Sequence, residues 1–182
     1  MSSFLTKKKT LESYEEKIST EPKATRQNKM YAVTNFTKFV KSQYEDRTVE
    51  DVISELRIIK KEQGESKYEE AIYGMLQDWI NWNEKEGRGN YSIRITFSNL
   101  RKFLYHLGIK TTQQDIRENL RFGKKVKEEK HGLTQMEYRA IVDGYFKDPV
   151  YQALYLTLGS SGMRVGEAMY VQKKDIDTSL AR

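Results

Sequence analysis

The chain has 182 residues and a net charge of +6, and its composition, 37% hydrophobic and 32% charged, is typical of a globular protein. The charge favours an acidic partner such as nucleic acid, although many basic proteins bind none. The absence of cysteine excludes disulfides and thiolate metal sites, and the two histidines lack metal-site spacing, so no metal or cofactor is expected. No apolar run can cross a membrane and no secretory signal begins the chain, which predicts a cytoplasmic protein without a membrane partner.

The first 22 residues show no helical periodicity and contain three consecutive lysines, at positions 7 to 9. This pattern predicts a flexible N-terminal arm over residues 1–22. The arm can contact nucleic-acid phosphates or a neighbouring protein molecule, and a solvated tail without a partner is an equally good interpretation.

Residues 23–120 carry the apolar periodicity of a helical bundle, and no segment alternates with period two. The first helix is expected from Thr25 to Tyr44. Thr48 is expected to cap the second helix and Gly64 to end it. A capping box formed by Ser66 and Glu69 is expected to open the third helix.

The fourth helix is expected to begin with a cap at Ser92 and to end at Gly108, and a short fifth helix follows from Thr112. Apolar residues of the fourth helix recur at alternating spacings of four and three, so one face belongs to the core. Between them lies a polar face that contains Arg94, Ser98, Asn99, Arg101 and Lys102.

Residues 121–130 carry five basic and two acidic side chains, and this composition indicates a linker between two domains. If the linker crosses a nucleic-acid backbone, Lys124, Lys125 and Lys127 neutralise phosphates and release bound counterions. The alternative is a solvated spacer.

A second helical segment occupies residues 131–182. Thr134 and Glu137 predict a capping box, and Asp148 followed by Pro149 predicts the start of another helix. That helix, from Val150 to Leu158, is nearly apolar throughout, so it is expected to be buried.

The apolar helix runs into small residues, an arginine and then a carboxylate, in the order Ser160-Ser161-Gly162-Met163-Arg164-Val165-Gly166-Glu167. A guanidinium is planar and permanently charged, and it can clamp two oxygens of one phosphate. Glu167 lies one helical turn after Arg164, close enough to hold the guanidinium or a backbone donor. The alternative is an ordinary helix connection with a surface Arg–Glu pair.

This segment resembles the first conserved motif of the tyrosine recombinase, or phage integrase, family. The residues that carry the resemblance are Ser161, Gly162, Met163, Arg164, Val165, Gly166, Glu167 and Asp175-Ile176-Asp177. The helical order of residues 23–120, followed by a basic linker, is similar to the core-binding (SAM-like) domain of that family. The fold class implied is all-α as given, with residues 131–182 as the N-terminal part of a truncated, mixed α+β catalytic domain.

The resemblance implies a DNA-binding part of a site-specific recombinase, with double-stranded DNA and other protomers of a tetramer as partners. Arg164 is then expected to engage the scissile phosphate, with Glu167 in support. The implied contacts with DNA are Arg26, Lys29, Arg94, Ser98, Arg101, Lys102, Lys124, Lys125 and Lys127.

The family also uses a hairpin lysine, a His/Lys-x-x-Arg pair, a further His or Trp and a tyrosine that forms a 3′-phosphotyrosyl link. None of these can be placed in this sequence, and the position of Tyr170 does not match the nucleophile. The chain as written is therefore not expected to cleave DNA alone. Two alternatives stay open: a non-catalytic DNA-binding regulator of recombination, and a helical protein–protein interaction module.

Overall fold

The computed structural model describes residues 9–45, 47–124 and 131–176, and over these ranges the ordered elements are helical, with no strand. None of the described helices is both long and apolar enough to span a membrane. The chain divides into two compact units, Met1–Lys127 and Glu128–Arg182, and the division falls within the predicted linker.

The helices follow the chain in a simple order. In the first unit they are α1 Leu11–Ile18, α2 Lys23–Gln43, α3 Val49–Gln63, α4 Glu65–Lys85, α5 Asn90–His106 and α6 Gln113–Asn119. In the second unit they are α7 Gln135–Gly144, α8 Pro149–Ser161 and α9 Val165–Ala168, followed by a short 3-10 turn, Lys173–Asp175.

The core of the first unit lies between two pairs of helices: α2 packs mainly against α5, and α3 mainly against α4. The apolar stripes predicted for these helices supply the core and are confirmed in their central positions. The largest fully buried side chains are Trp79, Tyr14, Phe36, Phe39 and Phe103. Burying an apolar side chain of this size contributes roughly 1.5–3 kcal/mol, so this core is the main source of stability in the unit.

A buried polar network ties α2 to α4 inside this core. The Trp79 indole N–H donates to Asn35 Oδ1 at 2.8 Å, and Asn35 Nδ2 donates to Asn83 Oδ1 at 3.0 Å. Asn83 Nδ2 also donates to the Trp79 carbonyl at 2.8 Å. Because all three residues are buried, each polar group depends on the others for its hydrogen bond.

The prediction of a flexible arm over residues 1–22 is wrong for part of that range, since α1 forms there. Thr10 caps α1, and Tyr14 and Ile18 are 2% and 1% exposed in the core. Ser13 Oγ lies 2.8 Å from His106 Nε2, which attaches α1 to α5. Two buried residues in an eight-residue helix produce too little periodicity to be recognised in the sequence. Residues 1–8 lie outside the described part of the chain.

Two helix starts differ from their predictions. α4 begins at Glu65 after Gly64 and α5 begins at Asn90 after Gly89, and neither start has a side-chain cap. The expected caps at Ser66 and Ser92 are therefore wrong, because both helices begin before these serines. Gly64, with φ 88°, turns the chain into α4 in a conformation that favours glycine, whereas Gly89 precedes α5 in an ordinary extended conformation. The predicted capping box at Thr134 is confirmed, and the helix expected from Thr112 begins there with a capping box of its own.

The second unit is a short helical segment in which α8 contacts α7 and α9. The Tyr138 hydroxyl donates to the Tyr155 carbonyl at 3.0 Å, and a Cβ at Gly159 would collide with the Tyr138 ring. The prediction that the apolar helix is buried is wrong: Val150 is 75% exposed and Leu156 is 47% exposed. Two short neighbouring helices cannot cover the whole circumference of α8.

Candidate nucleic-acid interface

The turn that carries Arg164 is built by two helix ends. α8 ends at Gly162, whose left-handed backbone (φ 67°) lets its N–H donate to the Leu158 carbonyl at 3.1 Å. Arg164 follows in an extended conformation as the residue that precedes α9. A glycine at this point is favoured because an L side chain rarely adopts this φ. The turn therefore presents Arg164 at the junction of α8 and α9.

Glu167 holds both the backbone and the side chain of Arg164. Its Oε2 accepts the Arg164 backbone N–H at 3.0 Å, and its Oε1 accepts a guanidinium N–H at 3.3 Å. The Arg164 side chain is 89% exposed, so most of its N–H donors face solvent. The expected contact between these residues is present. It is compatible with a phosphate clamp and also with a surface pair that contributes little stability.

Two of the predicted DNA contacts have their charged groups occupied inside the bundle. The Lys29 ammonium pairs with the Glu21 carboxylate, and its side chain is only 11% exposed. The Arg101 guanidinium donates to Thr111 Oγ1 at 3.1 Å, to the Thr111 carbonyl at 3.0 Å and to Gln113 Oε1 at 3.2 Å. These two cations fix local structure in the first unit.

The remaining predicted contacts lie at different points of the first unit. Arg26 is exposed near the start of α2 and donates to the Ser19 carbonyl at 3.3 Å. Ser98 and Lys102 are exposed on α5 and line a cleft of about 240 Å³ together with Arg101. Arg94 lies one turn before Ser98 on the same helix. Lys124 is exposed, whereas Lys125 and Lys127 lie outside the described residues.

Residues 121–124, predicted as the start of the linker, are attached to the surface of the bundle. Gln77 Oε1 accepts the Arg121 backbone N–H at 2.7 Å, and Gln77 Nε2 donates to the Arg121 carbonyl at 3.1 Å. Glu84 accepts the Gly123 N–H at 3.1 Å, and Asn90 donates to the Lys124 carbonyl at 3.2 Å. We call residues 121–124 the strap. The hydrogen bonds come from α4 and α5, distant in sequence, so local composition does not reveal them.

Charge is distributed unevenly between the helices of the first unit. Residues 87–124, which include α5, α6 and the strap, contain eight basic and two acidic side chains. Residues 45–86, which include α3 and α4, contain six basic and twelve acidic ones. α2, the main packing partner of α5, has no acidic residue at all. The pair α2 and α5 is therefore basic and the pair α3 and α4 is acidic, a contrast that the net charge of the whole chain conceals.

Arg117 and Arg121 are basic residues of this region that the sequence interpretation did not single out. Together with Arg94 they line a cleft of about 370 Å³ between α5, α6 and the strap. The Arg94 guanidinium lies over the Phe122 ring at 4.5 Å. The signal that could have found this cleft is the change in charge balance between residues 45–86 and 87–124.

Two further groups have pKa values that packing shifts. Burial raises the pKa of the Tyr73 hydroxyl, and its hydrogen bond to Asp115 at 3.1 Å raises it further. Burial lowers the pKa of His106, and the positive charges of Lys17 and Lys9 act in the same direction. Tyr73 joins α4 to Asp115 of α6, and His106 joins α5 to Ser13 of α1, so both pKa shifts arise from packing between helices.

The chemistry that the described side chains offer is anion binding, because guanidinium and ammonium groups dominate residues 87–124 and Arg164 projects into solvent. Within residues 9–45, 47–124 and 131–176, no group of three or more His, Asp or Glu side chains is placed to hold a metal ion. Comparison with protein-family models, curated proteins and solved structures found no match to the chain.

Proposed function

We propose that this chain binds double-stranded DNA as part of a site-specific tyrosine recombinase or integrase. The observation that carries DNA binding is the separation of charge in the first unit, where α2 and α5 are basic, α3 and α4 are acidic, and the strap adds Arg121 and Lys124. A DNA backbone attracts such a surface because each neutralised phosphate releases condensed counterions. The acidic pair α3 and α4 repels the backbone, so the charge also selects the orientation of approach.

The recombinase part of the proposal rests on the resemblance carried by residues 161–167 and 175–177. In the complete enzymes of that family, strand breakage and rejoining proceeds through a 3′-phosphotyrosyl intermediate. Arg164 binds the scissile phosphate and stabilises charge on its non-bridging oxygens, while Glu167 fixes the guanidinium. The exposure of Arg164 and its two hydrogen bonds to Glu167 support these roles.

Within the first unit, the proposed DNA contacts are Arg26, Arg94, Ser98, Lys102 and Lys124. Lys29 and Arg101 become positioning residues, because their charged groups bond to Glu21 and to the 111–113 segment. Lys125 and Lys127 stay in the proposal as linker contacts on sequence grounds alone.

The DNA-binding part is tested by measuring duplex affinity by fluorescence anisotropy across a salt series. We expect affinity to fall steeply with salt, and Lys102→Gln to reduce the slope of log K against log [salt] by about one. Lys61→Gln is the matched control, since Lys61 is also exposed but belongs to acidic α3. Negligible affinity at low salt refutes DNA binding. Equal effects of the two variants refute the assignment of the basic surface.

Arg164 is tested in the same assay, with Arg139→Ala in α7 as a control for the second unit. Arg164→Ala is expected to retain most of the affinity and to lower the salt slope by about one, because one phosphate contact among several is lost. An unchanged slope supports the surface-pair interpretation. A collapse of binding, with helicity preserved by circular dichroism, shows that Arg164 has a wider role than a single phosphate contact.

A second candidate function, protein–protein interaction, is favoured by apolar side chains at the surface of the second unit. Those more than 60% exposed include Met136, Phe146, Val150, Met169 and Tyr170. Exposed apolar groups in such number are typical of a surface that another protein covers, and other recombinase protomers are the partners that the first proposal expects.

Sedimentation velocity at physiological salt tests whether this surface mediates self-association. Met169→Lys should weaken self-association, and a wild-type protein that is monomeric at high concentration refutes this second function.

A further inference from the structure

The cleft between α5, α6 and the strap combines Arg94, already among the proposed DNA contacts, with two arginines that have no assigned role. Three arginines line it from three different elements: Arg94 from α5, Arg117 from the last turn of α6 and Arg121 from the strap. Its volume of about 370 Å³ is within the range of sites that hold small ligands. The other lining residues are Gln113, Ile116, Leu120 and Phe122, so no acidic side chain lines it.

Arg94 is held in place by aromatic packing. Its guanidinium lies 4.5 Å from the centre of the Phe122 ring, and that ring meets Phe97 edge-on at 5.2 Å. Arg94 Nε is buried and has no hydrogen-bond partner among the described residues. A buried donor without an acceptor is unfavourable, so a ligand oxygen that reaches this atom would satisfy a donor that the protein itself leaves unpaired.

Arg121 is presented by a fixed backbone. Both its N–H and its carbonyl are hydrogen-bonded to the side-chain amide of Gln77, at 2.7 Å and 3.1 Å. Leu120 and Ile116 are buried beneath the cleft and anchor the strap and α6 to the core. The backbones that carry the arginines are therefore positioned before any ligand arrives, which lowers the entropic cost of binding.

The three guanidinium groups form no ion pair with an acidic side chain in the described part of the chain. Positive charges gathered in one cleft without a counter-charge repel one another, and a bound anion removes that repulsion. Forked guanidinium donors match the tetrahedral oxygens of a phosphate, which they bind with two parallel N–H bonds. A guanidinium fork also binds carboxylates, but three arginines gathered in one cleft favour the group with more charge and more acceptor oxygens, which is a phosphate.

We propose that this arginine cleft is a phosphate-binding site, occupied by a phosphate of the DNA backbone. The DNA source rests on the proposed function, whereas the phosphate site rests on the cleft alone. A free phosphorylated ligand has the same chemistry, so the test separates the two sources. Binding here also fixes a phosphate beside the strap, at the end of the first unit.

The test uses the full chain and compares Arg121→Gln and Arg117→Gln with Lys110→Gln. Lys110 is an exposed cation of the same basic region that does not line the cleft, so its loss measures the effect of charge alone. Arg121→Gln keeps the backbone bonds to Gln77, and Arg117 is exposed, so both variants should fold. Unfolding curves monitored by tryptophan fluorescence check that they do.

The first arm titrates inorganic phosphate and pyrophosphate against chloride at matched ionic strength and records the melting temperature. The second arm measures duplex affinity at one fixed salt concentration. In the second arm we expect each cleft variant to lose roughly ten-fold more affinity than Lys110→Gln, because charge-assisted hydrogen bonds are lost along with charge.

A loss in the duplex arm that exceeds the control supports the site with DNA as its source. Stabilisation of the wild type by pyrophosphate that both cleft variants abolish, without any duplex effect, supports the phosphate site and overturns the DNA source. Cleft variants that match Lys110→Gln in both arms overturn the site. If the wild type binds no duplex at low salt, the proposed function fails and the first arm alone decides the cleft.

Discussion

The buried network of Asn35, Trp79 and Asn83 makes a sharp prediction for Asn35→Ala. The substitution removes the acceptor of the Trp79 indole N–H at 2.8 Å and the donor to Asn83 Oδ1 at 3.0 Å. Each buried polar group left without a partner costs about 1–3 kcal/mol, so the expected loss of unfolding free energy for the two groups is about 2–6 kcal/mol. A domain of this size is stable by only about 5–15 kcal/mol, so the bundle should be severely weakened.

Urea unfolding followed by tryptophan fluorescence measures this loss directly. Both tryptophans of the chain, Trp79 and Trp82, lie in α4, so the signal reports on the first unit. With an m-value of about 1–3 kcal/mol/M, the midpoint should fall by roughly 1–3 M. Asn28→Ala is the matched control, because Asn28 is an exposed residue of the same helix and its loss should cost less than about 0.5 kcal/mol.

The result that refutes this reasoning is a midpoint for Asn35→Ala close to that of the Asn28→Ala control. A double variant that also carries Asn83→Ala provides a second check. Removing Asn83 together with Asn35 leaves fewer orphaned groups than the two single changes suggest, so the two losses should not add. Simple additivity would show that the two amides act independently and that the network does not exist in solution.

Three further predictions concern the bundle and the second unit. Tyr73→Phe removes the hydroxyl that donates to Asp115, so α6 loses a link to α4 and the unfolding free energy should fall by about 1 kcal/mol; an unchanged urea midpoint contradicts this. Packing lowers the folded-state pKa of His106 below its ordinary value of 6.5, so protonation of His106 favours the unfolded chain. The stability contributed by neutral His106 is therefore complete above pH 6.5 and is lost as the pH falls through the folded-state pKa. Melting temperatures should therefore decline on acidification below pH 6.5 and decline less in His106→Gln, and an identical decline assigns the effect to other groups. Hydrogen exchange in residues 131–176 should be faster than in the α2–α5 bundle, because α7 and α8 have no fully buried residue, and equal protection in an isolated monomer counts against it.

The fold of the first unit was largely predictable because its long helices bury one face each. Periodicity identified α2 through α5, and the hydroxyl caps at Thr48 and Thr112 marked helix starts where a side chain binds the backbone. The starts of α4 and α5 were not predictable in this way, since Gly64 and Gly89 precede them without a side-chain bond. α1 escaped notice because it contributes only two residues to the core.

The sequence predicted which basic residues belong to the candidate interface, but it did not predict which of their charged groups are free to bind a ligand. Lys29 and Arg101 have the same sequence character as Lys102, and only tertiary contacts show that their charged groups are already bonded. The strap and the cleft of Arg117 and Arg121 depend on side chains of α4 and α5 that approach a segment about forty residues away. Long-range hydrogen bonds of this kind have no local signature.

The opposite charges of the two helix pairs have a consequence for the behaviour of the protein in dilute buffer. The acidic pair α3 and α4 of one molecule attracts the basic pair α2 and α5 of another molecule, as the DNA backbone does. When ionic strength falls and the Debye length grows, such head-to-tail attraction strengthens and molecules compete with DNA for their own binding surface. Solutions of the protein should then cloud on desalting and clear when either salt or duplex is added.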